Sequence, residues 1–277
     1  YRRNFLFLIS GILGIFIILV WFRNYEWKDG LTLYKHTVKR APNSAVARNN
    51  LGIEYSRLGL HQEAETEYKK ALSLSHSTEV QLTCRINLAK IYAHKKMFSE
   101  ALDELSQAEI IKPSYSIIYQ AYGAVYSQMG EKEKAEEILK KGLKFNPKSA
   151  GILYNLGLLY IKKGKLKEAK EYFLSAADYS PDDYFAYFYL GYLFEKEEDS
   201  ARALRHYKKS ISLNPSHTLS HSAIGRLYAK RLNPRALYHL KEAVRINPSL
   251  AEAHNDLAVL YASMEPPKLD LSREHAS

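Results

Sequence analysis

From Ala45 onward, apolar side chains return at three- and four-residue intervals, in blocks separated by short polar turns. That spacing places them on one face of successive α-helices. The blocks themselves recur. A small residue that follows an apolar or aromatic one falls at Gly52, Ala89, Gly123, Gly157, Gly191, Gly225 and Ala258, at spacings of 37, 34, 34, 34, 34 and 33. An aromatic stands three residues after each of them: Tyr55, Tyr92, Tyr126, Tyr160, Phe194, Tyr228 and Tyr261. Twelve positions after the small residue comes another, at Ala64, Ala101, Ala135, Ala169 and Ala203, with Ala236 one position early.

The unit this describes is a pair of helices. Gly59, Gly130 and Gly164 mark the turns inside pairs, and Asn146-Pro147, Asn214-Pro215 and Asn247-Pro248 mark the ends. Asparagine there is expected in a left-handed cap, followed by a proline that cannot continue the helix. The small residues allow the paired helices to approach, and a larger side chain there would overpack the contact. One pair cannot bury its apolar face alone, so neighbouring pairs must stack into a solenoid.

A different pattern precedes the repeats. Phe5 to Phe22 is an uninterrupted stretch without charge, flanked by Arg2 and Arg3 on one side and by Trp21, Phe22, Arg23, Tyr25 and Trp27 on the other. As a helix it is about 27 Å long, close to the thickness of a hydrocarbon core. Aromatics at an apolar boundary suit the lipid–water interface. The expectation is a membrane-spanning helix; a signal sequence and a buried helix are the rival readings. No small-residue cleavage site follows, which counts against a signal sequence. Basic residues flank both ends, so orientation stays open.

The 34-residue period and the pattern L-G-x-x-Y … A-x-x-x-[FY]-x-x-A … P resemble the tetratricopeptide repeat. The resemblance covers about Ala45 to Ser263 in six copies and implies an all-α fold, a right-handed α-solenoid of helix hairpins. Half-units are expected at both ends, a lone second helix within "WKDGLTLYKHTVKRAPNS" and a capping first helix in "AEAHNDLAVLYASM". The expected organisation is a transmembrane helix over 1–23, a linker and half-repeat helix over 24–44, six repeats and a cap over 45–264, and a tail over 265–277. Glu252, His254, Asn255 and Asp256 are expected on a polar outer face of the cap. The segment "RNYEWKDGLTLYKHTVKRAPNSAVARNNLG" also resembles the junction between the last membrane helix and the repeats in multi-pass, O-mannosyltransferase-related proteins. That resemblance implies repeats facing a periplasm or lumen, with any catalytic part upstream.

Composition adds exclusions. The net charge of +10 is spread out, with no basic stripe, so no nucleic-acid partner is expected. Cys84 is the only cysteine, which rules out an intrachain disulfide and a cysteine-based zinc cluster; it is expected as a packing residue. No phosphate loop, dinucleotide fingerprint or nucleophile elbow is present, so no catalysis and no cofactor are expected. His217 and His221 lie four apart, but nothing in the sequence brings a third metal ligand to them. They read as two surface histidines at a helix start, and no metal is expected.

What remains is binding of a protein or peptide partner. By resemblance to other tetratricopeptide proteins, the first helices line a concave groove. Three features of those helices are candidates. Asn50, Asn87 and Asn155 precede the small-residue pair, where a carboxamide that both donates and accepts could hold an extended main chain. This ladder is interrupted at Ala121, Tyr189 and Ala223, and local hydrogen bonding is the alternative. The run "YFAYFYLGYLF" sets Phe185, Phe188 and Tyr192 on the face opposite Tyr187 and Phe194, with Tyr154, Leu158 and Ile161 in similar slots one copy earlier. Those rings form either a binding surface or packing between neighbouring first helices. Arg57, His94, Lys162, Lys196 and Lys230 form a basic row, either steering an acidic partner or simply solvated.

Overall fold

The structure is a computed structural model and describes residues 27–264. The expected membrane helix, the start of the linker and the tail lie outside them. Fourteen α-helices follow one another, and no strand occurs among the described residues. They are α1 (Gly30–Arg40), α2 (Ala45–Arg57), α3 (His61–Leu74), α4 (Thr78–His94), α5 (Phe98–Ile111), α6 (Ser116–Met129) and α7 (Lys132–Phe145), followed by α8 (Ala150–Lys162), α9 (Leu166–Tyr179), α10 (Tyr184–Lys196), α11 (Ser200–Leu213), α12 (Thr218–Ala229), α13 (Arg235–Ile246) and α14 (Ala251–Ala262). None of them is long and apolar enough to cross a membrane. The chain divides into two compact units, with the boundary between Glu131 and Lys132. Unit one holds α1 to α6 and unit two holds α7 to α14.

Within each unit the helices are of two kinds. The even-numbered helices, the first of each hairpin, bury several sides; α4 buries nine residues, among them Leu82, Ile86, Leu88 and Tyr92. The second helices bury one narrow stripe, as at Ala101, Leu105 and Ala108 or Ala236, Leu240 and Ala243. Spacings of four and three keep such a stripe on one face and leave the rest to water. A helix packed by neighbours on several sides needs apolar residues nearly all round, and the sequence of α8, "AGILYNLGLLYIK", supplies them.

The repeated glycines are sockets. A Cβ added at Gly157 would lie 2.7 Å from the Phe173 ring, and one at Gly191 would lie 2.6 Å from Tyr207. Gly52 meets Tyr68 in the same way, and Gly225 meets Leu240. In each case the large side chain comes from the second helix of the same hairpin.

The structure corrects one local expectation. Asn214 and Asn247 end their helices in extended backbone, with φ of −133° and −130°, not in a left-handed cap. Their Oδ1 atoms accept from the backbone N–H groups of Ser216 and Ser249, at 3.0 and 3.1 Å, and Asn146 does the same with Lys148 at 3.2 Å. The asparagine side chain therefore closes the turn across the proline. The left-handed residues sit inside the hairpins instead. Gly59, Gly130 and Gly164 hold φ of 75°, 84° and 74°, and Lys96, Glu198 and Leu232 hold φ of 61°, 61° and 51° in the corresponding turns. The longer 37-residue spacing is taken up by α4, which is four residues, about one turn, longer at its start, with 17 residues against 13 in α2 and α8.

Candidate functional site

The expected partner-facing residues fall in two places, one in each unit. In unit one, α2, α3 and α4 enclose a cleft of about 550 Å³ lined by Arg57, His61, Tyr68, Asn87 and Lys90, among others. Asn87 Oδ1 accepts from Lys90 Nζ at 3.5 Å. Partial burial of that ammonium holds its pKa below the usual lysine value. Arg57 is held by Glu54 at 2.8 Å, and the His61 and His94 rings lie 4.5 Å apart. On the floor, the Tyr68 hydroxyl lies 3.4 Å from Ser56 Oγ, and burial pushes the phenol up to about 12.

Asn50 is half-buried, and its Oδ1 accepts from Asn49 Nδ2 at 3.4 Å. Asn49 in turn accepts the Cys84 thiol at 3.2 Å. Cys84 is fully buried, and burial raises it to about 12, which leaves an inert thiol that serves packing. The carboxamides at the ladder positions thus already take part in local bonding, while Asn87 also lines open space.

In unit two the aromatic run forms a continuous cluster across α8, α9 and α10. The Tyr154 ring lies 5.6 Å from Phe173, 5.8 Å from Tyr189 and 6.3 Å from Phe185. Phe185 is 41% exposed and stacks on Tyr184 at 4.2 Å. Phe188 is half-buried and packs 5.1 Å from His217 and 5.7 Å from Tyr207. So Tyr154, Phe185 and Phe188 do come together, with Phe185 open to solvent and Phe188 serving as wall. Asn155 and Leu158 are half-buried on α8. Lys162 is exposed at the end of that helix, where its carbonyl accepts from Lys132 Nζ at 2.9 Å.

Further along α10, the Lys196 ammonium sits 5.5 Å from the centre of the Tyr192 ring. Both line a second cleft, of about 360 Å³, with Glu195, Glu198, Arg226 and Lys230. The row of cations is therefore not purely basic at this point. Arg226 bridges to Glu195 at 3.3 Å, to Glu252 and to Asp256 at 3.9 Å. Asp256, expected on the outer face of the cap, instead faces Arg226, and burial raises its pKa.

Sequence reasoning missed three features. Tyr189 joins the aromatic cluster from the slot that holds Asn in other copies, and that substitution was itself the available signal. Arg226 has no counterpart of like charge in neighbouring copies except Lys90, so its role was not visible. Third, His217 and His221 are not surface residues: they are 8% and 5% exposed. Among the described residues no group of three His, Cys, Asp or Glu side chains is placed to hold a metal ion.

Four segments, 45–77, 117–149, 150–183 and 186–217, match the sequence model of the tetratricopeptide repeat. These segments are tetratricopeptide repeats. The repeats (TPRs) are a fold of protein-interaction scaffolds, which bind protein or peptide partners. The matched stretches leave out 78–116, where the lengthened α4 departs from the usual period. The chain is 32% identical over 93 residues to Protein O-mannosyl-transferase TMTC1 of Homo sapiens, covering 34% of this chain and 10% of that protein. It is 27% identical over 130 residues to BBSome complex member BBS4 of Mus musculus, covering 47% and 24%. The chain thus spans between a tenth and a quarter of the length of these curated relatives. Among solved structures, a chain of the APC/C hetero-tetramer Cut9-Hcn1 superimposes with a TM-score of 0.69 at 21% identity, over 83% of this chain and 45% of that one. That likeness is one of fold.

Proposed function

We propose that this chain is a membrane-tethered TPR scaffold that holds a segment of another polypeptide against its first helices and performs no chemistry of its own. The observation that carries this reading is the aromatic face of α8 and α10, where Phe185 stands open beside Tyr154 and Tyr184. Rings displayed on a rigid helical support form an anchoring surface at low entropic cost. Asn87 in the unit-one cleft offers a second point of attachment, through a carboxamide able to pair with main chain. The tether is the uncharged run from Phe5 to Phe22, and only Arg23 to Glu26 separate it from Trp27, so the repeats would lie close to the bilayer. The resemblance of the junction to O-mannosyltransferase-related proteins would place them on a periplasmic or lumenal side.

The test uses peptides selected by phage display on the full chain. Phe185→Ala with Tyr192→Ala is expected to weaken the selected peptides by about 2 kcal/mol or more, roughly thirtyfold in Kd. Unchanged affinity in titration calorimetry would remove the aromatic face from the reading. Phe185 is the better target than Phe188, because truncating a packed ring mixes binding with stability. Asn87→Ala is expected to cost about 0.5–1.5 kcal/mol of the same affinity.

The match to an O-mannosyl-transferase favours a second reading, an accessory region that presents acceptor protein to a catalytic part elsewhere in a longer chain. Further hydrophobic spans upstream of Tyr1 would decide for it. Protease protection in sealed vesicles would report which side of the membrane the repeats occupy.

A further inference from the structure

Between the fifth and sixth hairpins the chain buries polar groups that play no part in the reading above. His217 precedes α12, and its Nδ1 lies 2.7 Å from Ser220 Oγ. Ser220 Oγ donates to Ser210 Oγ on α11 at 2.9 Å, so it accepts from a protonated His217 Nδ1. Both serines are fully buried. Tyr184, Phe185 and Phe188 of α10 close on the same imidazole at 5.0, 5.5 and 5.1 Å, each edge to face.

One turn on, His221 Nε2 lies 3.1 Å from the Pro215 carbonyl, an acceptor only, so Nε2 carries the proton and Nδ1 is bare. His239 of α13 points its own Nδ1 at that atom, 3.2 Å away. The contact holds as N–H···N with His239 donating. A proton added to His221 would set two N–H groups head to head, and the bond would be lost.

We propose that His221 and His239 form a proton-sensitive latch that closes the sixth hairpin, α12 against α13, while His217 seats the start of that hairpin on α11 and on the aromatic face of α10, so that acid loosens the sixth hairpin behind that face and releases a guest chain. Release of the guest rests on the binding reading above; the latch itself does not.

Among the charged neighbours, Lys208, Arg235 and Arg245 push in this direction and Glu242 pushes against it. His217 faces His221. His221 faces Glu242 and Arg245 of α13, besides His239. His239 faces His221, Lys208 of α11, and Arg235 and Glu242 of its own helix, with the Tyr228 and Tyr238 rings beside it. Glu242 is committed to Arg245 at 2.8 Å. Burial is the largest influence on all three imidazoles; it pushes His217 and His239 down to about 4 from 6.5, and His221 down as well. Groups lowered on folding stabilise the fold above their unfolded value and lose that contribution as pH falls. The window therefore opens below pH 6.5 and extends to about 4.

The test is amide hydrogen exchange of the full chain at pH 7.5 and 5.0, corrected for intrinsic exchange, with and without His217→Asn and His221→Asn together. Asparagine keeps a polar atom near the Nδ1 position but takes up no proton. Protection in α12 is expected to fall about tenfold or more at pH 5.0 in the wild type, with α8 unchanged, and to fall several-fold less in the double variant, where His239 alone still takes up a proton. Equal loss in both chains, or none in the wild type, overturns the latch. If the double variant does not fold, ring-carbon resonances decide: midpoints for His217 and His239 well below 6.5 support the latch, and midpoints at 6.5 or above overturn it. These readouts need no guest, so the latch can fail while the binding reading stands, or the reverse. For release, a phage-selected peptide is expected to bind the wild type at least about tenfold more weakly at pH 5.0 than at 7.5, while its affinity for the double variant falls several-fold less.

Discussion

At the scale of single residues, steric fit decides most of what can be tested. Gly157 and Gly191 have no room for a Cβ, since the rings of Phe173 and Tyr207 occupy it at 2.7 and 2.6 Å. Gly157→Ala or Gly191→Ala is expected to cost about 1–3 kcal/mol, read as a lower denaturant midpoint with an unchanged slope. The opposite sign is expected where a side chain sits in a glycine conformation. Glu198 and Leu232 hold φ of 61° and 51°, so Glu198→Gly and Leu232→Gly are each expected to stabilise by roughly 1 kcal/mol, seen as a higher Tm. The sockets were legible from the sequence because a fixed period makes a small residue conspicuous. The histidines were not: a pattern shows that His217 begins a helix, but not that α10 and α11 close over it. The asparagine stops were placed correctly and explained wrongly, because the sequence does not reveal whether the backbone or the side chain closes a turn.

At the scale of elements, ion pairs stitch successive hairpins together. Glu136 on α7 accepts from Lys140 and Lys163 at 2.6 Å each and from the Tyr160 hydroxyl at 2.7 Å, which links α7 to α8. Hydrogen bonds from Lys140 and Lys163 are the largest influences and hold its carboxyl at about 2, below the ordinary 4.5. A lowered carboxylate stabilises above its unfolded value and loses that contribution as pH falls from 4.5 toward 2. Glu136→Gln is therefore expected to lower stability at pH 7 and to flatten the decline of stability across that acid window, measured by denaturant titration at several pH values. The helices and their order could be read in advance from apolar spacing alone. Where the extra turn of α4 would go could not, because three added residues fit either a loop or a helix end until the packing of that end is seen.

At the scale of the whole molecule, TPR matches cover four stretches between residues 45 and 217, and helices continue from there to Ala262. The remaining question is attachment. In a flotation assay the full chain is expected to rise with phosphatidylcholine vesicles, and a chain beginning at Trp27 is expected to stay below, if Phe5 to Phe22 inserts. Equal distribution of the two would separate the scaffold from the bilayer. The candidate binding faces were partly legible: the aromatic run and Asn87 were named from their slots. Which rings stand open was not, since burial of Phe188 and exposure of Phe185 depend on how α12 and its preceding loop come to rest against α10.

The sockets also bear on how the chain comes off the ribosome. Each glycine receives its large side chain from within its own hairpin, 16 residues downstream at Gly52, Gly157 and Gly191 and 15 at Gly225. A hairpin therefore holds its own closing contact as soon as its second helix has emerged, without waiting for distant segments. Such short-range closure favours vectorial folding, repeat upon repeat in order of synthesis, and spares the nascent chain a long interval with bare apolar surface.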